Sequence, residues 1–238
     1  MSIRVGCCGF PKAKATYYQH FFLVEVQQTF YQPPRLETAR RWREEAPPDF
    51  EFTVKAWQLI THQPTSPTYR RLREPIPPKR RDRYGAFRPT DEVFAAWERT
   101  REIAQALKAR VVLFQCPASF IPIPENIANM RAFFRAVERE GLIFVWEPRG
   151  AWPDDVVAKL CRELDLVHGV DPFHRQPVTR ETAYFRLHGI TGYRYRFSDD
   201  DLHRLLDWCK PFSEVYCLFN NVSMWDDAQR MQELCKVI

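Results

Sequence analysis

The chain has 238 residues, 45% of them hydrophobic and 27% charged, with a formal net charge of +5. These are the proportions of an ordinary globular chain, neither disordered nor fibrous. No uninterrupted apolar run approaches the roughly 18 residues a membrane-spanning helix needs. The first residues, Met1 to Gly6, enter a strand without an apolar leader core, and the seven cysteines form no CxxC pair. Both features lead to the expectation of a cytoplasmic protein with reduced thiols and no membrane partner.

In chain order, eight short apolar runs read as strands: Ile3–Cys8, Phe22–Gln27, Phe50–Lys55, Val111–Gln115, Leu142–Glu147, Leu166–Asp171, Ala183–His188 and Val215–Asn220. Helical spacing falls between them at Leu36–Glu45, Glu92–Lys108, Glu125–Glu140, Pro153–Glu163, Ser198–Lys210 and Ser223–Val237. Thr90-Asp91 and Ser198 followed by three aspartates mark helix starts, because a hydroxyl caps free N–H groups and acids suit the positive end of the dipole. Alternating strands and helices imply parallel pairing with right-handed crossovers. The expected fold is α/β, a TIM (β/α)8-type barrel formed by a single domain over residues 1–238. An open doubly wound sheet is the alternative, but Gly6 to Pro11 lacks the spacing of a dinucleotide-binding loop.

One segment departs from the regular alternation. Residues 63–90, between the third strand and the helix that follows it, form a long, proline-containing basic insertion. Arg70, Arg71, Arg73, Lys79, Arg80, Arg81, Arg83 and Arg88 face only Glu74 and Asp82, a local net charge of +6 that exceeds the +5 of the whole chain. Tyr69, Tyr84 and Phe87 interleave with them. A second loop, Gly192 to Phe197, repeats the mixture with Tyr193 and Arg194. Guanidiniums bind phosphates bidentately and aromatics stack on bases, so Arg70, Arg80, Arg194 and Tyr193 are candidate contacts to nucleic acid or another phosphorylated ligand.

Enzymes built on parallel barrels carry their chemistry at the C-terminal ends of the strands. There the runs offer Cys8, Glu25, Lys55, Gln115, Glu147, Asp171, His188 and Asn220. Strand parity points Thr53 and Lys55 to the barrel axis and Phe50, Phe52 and Val54 to the helices. It also puts Arg186 inside, where Glu25 or Glu147 would be its partner. Glu147, His188, Lys55 and Glu25 are therefore candidate catalytic residues, and His62, Gln115, Arg186 and Asn220 candidate substrate contacts. Glu147 and His188 would act as acid and base, with Lys55 and Arg186 stabilising negative charge. Glu147, His188, His62 and Asp171 are an alternative ligand set for a divalent metal, which their spacing does not indicate. His168, His174 and His203 are weaker candidates. Cys8 and Cys116 are read as neighbours at the pocket rim, with thiolate or redox chemistry as an outside role.

Val24-Glu-Val-Gln-Gln-Thr-Phe-Tyr31 resembles the VEINSTFY segment of the YecE-like proteins, or domain of unknown function 72. The resemblance continues through Phe52 to Ala56, Ile60 to His62, Leu113 to Phe120, Glu147 to Trp152, Tyr184 to Gly189 and Phe219 to Asn221, in order along the chain. It implies a TIM-type barrel, with a suggested role in DNA binding or repair. It points to Glu25, Lys55, His62, Gln115, Glu147, His188 and Asn220. The chain departs from the family at Cys8, where a Ser is usual, at Gln115 to Ala118, and after Arg149, where a His is often found. Three readings follow: a nucleic-acid-binding phosphodiester hydrolase or repair-type enzyme, an enzyme on a small phosphorylated or sugar-like metabolite, and a non-enzymatic binding protein.

Overall fold

The apolar runs become β1 (Ser2–Cys8), β2 (Leu23–Val26), β3 (Glu51–Lys55), β4 (Val111–Cys116), β5 (Ile143–Pro148), β6 (Val167–Val170), β7 (Thr182–Leu187) and β8 (Glu214–Phe219) in a computed structural model that describes residues 1–236. All pairings are parallel and follow sequence order, and β8 pairs with β1 over six residues. The sheet is thus a closed barrel, and the open-sheet alternative is excluded.

The helices are α1 (Lys14–His20), α2 (Gln28–Tyr31), α3 (Leu36–Glu45), α4 (Gln58–Thr61), α5 (Asp91–Leu107), α6 (Pro124–Ala136), α7 (Asp154–Leu164), α8 (Asp199–Cys209) and α9 (Met224–Cys235). In α8 the Ser198 hydroxyl accepts from the Asp201 N–H, and the Asp201 carboxylate accepts from the Ser198 N–H, a reciprocal capping box. Its buried Leu202, Leu205, Leu206 and Cys209 form one apolar stripe. One expectation is corrected. Helix α6 stops at Ala136, short of Glu140, because the chain becomes extended at Val137 (φ −89°, ψ 134°) before Glu140 and Gly141 turn through φ +50° and +81° into β5. No helix joins β6 to β7, a connection of residues 171–181 interrupted by Pro172 and Pro177. Val237, the expected end of the last helix, lies outside the described residues.

Period-two alternation splits the apolar residues into two bodies. Val24, Phe52, Val54, Val112, Phe114, Phe144 and Trp146 pack outward under the helices. Cys8, Leu23, Val111, Leu113, Val145, Tyr184, Tyr216 and Leu218 fill the barrel interior. Above that inner layer the strand ends turn polar, and Glu25, Lys55, Glu147 and Arg186 are all buried there. Gly169 on β6 keeps this wall open: a Cβ there would lie 2.8 Å from Val145 Cγ1 and 3.4 Å from Glu147 Cβ.

Residues 63–90 cross the C-terminal side between α4 and α5 with two 3-10 turns, Pro67–Arg71 and Pro78–Arg83. Their end is pinned by backbone bonds from Gly85, Ala86 and Phe87 to the carbonyls of Leu59, Thr61 and Ile60. Phe87 is fully buried among Phe114, Phe120, Phe133 and Phe134. The Tyr69 hydroxyl donates to the His62 carbonyl at 2.7 Å. These aromatics anchor the segment, which corrects the reading of Phe87 as a stacking residue.

Phe87→Ala should therefore cost about 3–5 kcal/mol of unfolding free energy, and Ser198→Ala about 1 kcal/mol through the lost cap. Tyr193, 57% exposed, should tolerate Ala within about 0.5 kcal/mol. Urea denaturation of the three variants checks the ordering; a neutral Phe87→Ala would contradict the anchoring role.

Candidate functional site

Three strands meet at one buried guanidinium. Arg186 on β7 donates from Nε and Nη2 to the two carboxylate oxygens of Glu25 on β2, at 3.0 and 2.8 Å. Its Nη1 donates to Glu147 Oε2 on β5 at 2.6 Å. Tyr184 adds a hydroxyl donor to Glu25 at 2.8 Å and meets Thr53 Oγ1 at 2.8 Å, and Gln27 donates its amide to Glu25. The other oxygen of Glu147 accepts from Arg149 Nε at 2.9 Å. Burial alone would raise the Glu147 pKa, but Arg186 and Arg149 outweigh it and hold the carboxyl down at about 2. Glu147 is thus a fixed anion at neutral pH, and the expected acid–base role for it is corrected. Arg186 is likewise committed to the carboxylates and forms the floor of the site.

Above this floor lies a cavity of about 560 Å³, lined by Lys55, His62, Gln115, Arg149, His188 and Asn220 among others. Burial, then the Arg186 charge, brings the Lys55 amine down to about 7 against the pull of Glu25 and Glu147. Its Nζ rests 3.9 Å from the Phe30 ring centre, and no carboxylate among the described residues lies within salt-bridge distance of it. His62 packs edge-on against Phe30 and shares a 2.8 Å bond from Nδ1 with Thr61. Burial, Lys55 and Arg149 push its pKa down to about 3, so its imidazole is neutral.

His188, at the end of β7, completes the mouth. Arg149 Nη2 is 2.7 Å from His188 Nε2. A guanidinium can only donate, so Nε2 accepts and the ring proton resides on Nδ1. Nδ1 lies 3.6 Å from Asp171 Oδ2, which also accepts the His188 backbone N–H at 2.8 Å. Asp171 thereby orients the ring from behind. Against its burial, the His188 ring and then the backbone N–H groups of His188 and Phe173 depress the Asp171 pKa.

The metal-ligand alternative finds no support in this donor set. Among the described residues no group of three or more His, Cys, Asp or Glu has metal-binding geometry. Both Glu147 oxygens serve guanidiniums, and both Asp171 oxygens accept backbone N–H groups. The cysteine pairing is also corrected. Cys8 faces the interior beside Arg186, whereas Cys116 faces the outer shell and accepts from Trp146 Nε1. Burial raises both thiols well above their usual range, so neither supplies a thiolate. His168 is buried and accepts the Val178 N–H through Nδ1; His174 and His203 sit at the surface.

The strand-end candidates thus converge, Glu25 and Glu147 beneath the cavity, Lys55, Gln115, His188 and Asn220 lining it, and Asp171 behind His188; Cys8 lies in the barrel interior. The loop candidates do not reach it. Arg70 lines a separate shallow hollow, and Arg80, Tyr193 and Arg194 are exposed. Arg149, Phe30, Tyr31, Gln27 and Thr68 line the cavity without having been singled out from sequence. Gln27, Phe30, Tyr31 and Arg149 fall inside the segments that carry the family resemblance, which is the available signal. Tyr31 also links the cavity to the basic segment, since the Arg71 guanidinium carbon sits 4.1 Å from its ring centre.

A closed parallel barrel with its polar cluster at the C-terminal mouth defines a protein of the TIM-barrel class. The chain belongs to the family described as "Protein of unknown function DUF72", whose profile matches residues 11–237. It is 24% identical to the UPF0759 protein YunF of Bacillus subtilis (strain 168), covering 95% of this chain and 86% of that protein. A DUF72 family protein from Enterococcus faecalis V583 superposes with a TM-score of 0.75 at 22% identity, covering 98% of this chain and 97% of the other. One from Thermotoga maritima MSB8 gives 0.71 at 17%, covering 99% and 100%. Endonuclease IV from Thermus thermophilus shares the fold more distantly, at a TM-score of 0.57 and 11% identity over 99% and 98% of the chains.

The Arg186 cage carries a pH prediction. Glu147 is held at about 2 against an ordinary 4.5, so its contribution is present above about pH 4.5 and is lost as pH falls towards 2. Arg186→Met leaves buried Glu25 without a guanidinium and Glu147 with Arg149 alone, and should cost about 3–5 kcal/mol near neutrality. Protonation then relieves the variant, so its deficit relative to the parent should shrink as pH falls from 7 to 4. Thermal unfolding over that range tests this; a deficit independent of pH would argue against the cage.

Proposed function

We propose that the mouth of the barrel binds a phosphate-bearing unit of a nucleic-acid strand, and that His188, oriented by Asp171, is the general base for cleavage of its phosphodiester. The observation that supports this reading most is convergence: Arg149, Lys55, His188, Gln115 and Asn220 line one cavity. Its rim continues through Tyr31 and Arg71 into the arginine-rich segment. Arg149, 42% exposed at its side chain, carries the phosphate contact, and as its Nη2 turns from His188 Nε2 to the phosphate that nitrogen is freed to take a proton, while Arg186 stays committed to Glu25 and Glu147. Arg70, Arg80, Arg194 and Tyr193 contact the strand outside the cavity, by charge and by stacking. The fold shared with a protein named endonuclease IV adds an analogy only.

A second reading is favoured by the cavity itself. A volume of about 560 Å³ suits a single small ligand, and a free phosphorylated metabolite would use the same Arg149 and His188 without the outer arginines.

Salt titration separates the two. Strand binding predicts that log K falls linearly with log salt, and that Arg71→Ala and Arg80→Ala each flatten the slope by about 0.7–0.9. Salt-independent affinity, or no binding of DNA or RNA at low salt, would remove the nucleic-acid reading. A small phosphate ester that binds wild type and both variants equally would favour the metabolite. On whichever ligand is cleaved, His188→Ala and Asp171→Asn should lower turnover by about 10²–10⁴ with affinity retained. Unchanged turnover in His188→Ala would remove the general-base assignment.

A further inference from the structure

Lys55 is a cation of the mouth whose surroundings offer it no polar partner. Its side chain is buried to 6% exposure, yet the amine has no hydrogen-bonding or ion-pair partner among the described residues and lies over the face of Phe30. Glu25 and Glu147 are near enough to be felt but are bound to guanidiniums. The strand holds the stem in place: the Lys55 carbonyl accepts from Thr29 Oγ1 at 2.6 Å, and β3 pairs with β4 through Lys55 and Leu113. A lysine desolvated beside fixed cations is the usual way a fold keeps an amine nucleophilic. Arg186 and Arg149 are those cations here, and burial with their charge leaves a large neutral fraction near pH 7.

We propose that Lys55 is a covalent site that forms a Schiff base with the carbonyl carbon of an aldehyde or ketone bearing a nearby phosphate. The proposal rests on the phosphate-binding reading of the mouth and names the ligand class more closely. In the step, the amine lone pair adds to the carbonyl carbon and the C–O π bond opens. Both amine protons then leave with the carbonyl oxygen as water as the C=N bond forms. Arg149 positions the phosphate, and neutral His62 and Gln115 border the same cavity. The carbonyl comes either from a free sugar phosphate or from the ring-opened deoxyribose of a strand position that has lost its base.

The test is reductive trapping on the full chain. Glyceraldehyde 3-phosphate, glyceraldehyde and an oligonucleotide with one abasic site are each incubated with the protein, reduced with borohydride and mapped by mass spectrometry. The expected result is one adduct, on the peptide containing Lys55, lost in Lys55→Gln and formed faster with phosphate present than without. Exposed Lys79 is an internal comparison that needs no variant, and Lys55 should outreact it at least about tenfold near neutral pH. Faster trapping of the sugar phosphate assigns the small ligand; faster trapping of the abasic strand assigns the nucleic acid. Labelling spread evenly over surface lysines, or unchanged in Lys55→Gln, overturns the proposal. Phosphate-ester binding measured without reductant reports separately on the mouth. Binding without trapping removes the Schiff base alone, and trapping of glyceraldehyde without any phosphate preference removes the phosphate partner from the proposal.

Discussion

A guanidinium enclosed by two carboxylates at the centre of a barrel imposes terms on everything around it. A buried charge left single would cost several kcal/mol, and even a well-made pair does little more than recover its desolvation. The Glu25–Arg186–Glu147 cage is therefore better understood as a device for register than as a store of stability. Side chains alternate along β7, so a slip of one residue would turn Arg186 out among the apolar groups beneath the helices. Strands β2, β5 and β7 are three separate staves of the barrel, and the cage fixes their ends relative to one another.

The cage also sets the electrostatics of the mouth. Glu25 and Glu147 balance Arg186 and Arg149, and the four groups together carry no net charge. Lys55 stands above this balanced set with no anion of its own, and burial, then the Arg186 charge, drives its amine towards neutrality. Burial, with Lys55 and Arg149 beside it, keeps His62 uncharged. A site that looks strongly ionic in composition thus presents a neutral imidazole and a half-titrated amine to its cavity, with Arg149 reaching towards solvent.

The barrel was legible in the sequence because its evidence is periodic. Eight apolar runs with polar ends and intervening helical spacing leave few alternatives, and the parity of Phe52 and Val54 against Thr53 and Lys55 places each side chain on its proper shell. One-turn helices such as Gln28–Tyr31 and Gln58–Thr61 are too short to show a period. The link from β6 to β7 shows no helical spacing in the sequence, and it carries no helix. In the site, position was readable and chemistry was not. Glu147 was correctly placed at a strand end, but its conversion into a fixed anion depends on Arg149 and Arg186, which approach from a loop and another strand. Phe87 was misread for the same reason: an aromatic between arginines looks like a stacking group until its burial against Phe114 and Phe133 is seen.

The arginine-rich segment is tied down where it rejoins the barrel, through Gly85, Ala86 and Phe87, and again near its start by Tyr69 on the His62 carbonyl. Chain between two such anchors has already surrendered much of its conformational freedom during folding. Its charges therefore stand in a standing field over one face of the molecule. The consequence is kinetic: under the strand-binding proposal, an anion approaching this face would feel the field before any contact is made, so the segment would raise the rate of arrival as well as the affinity.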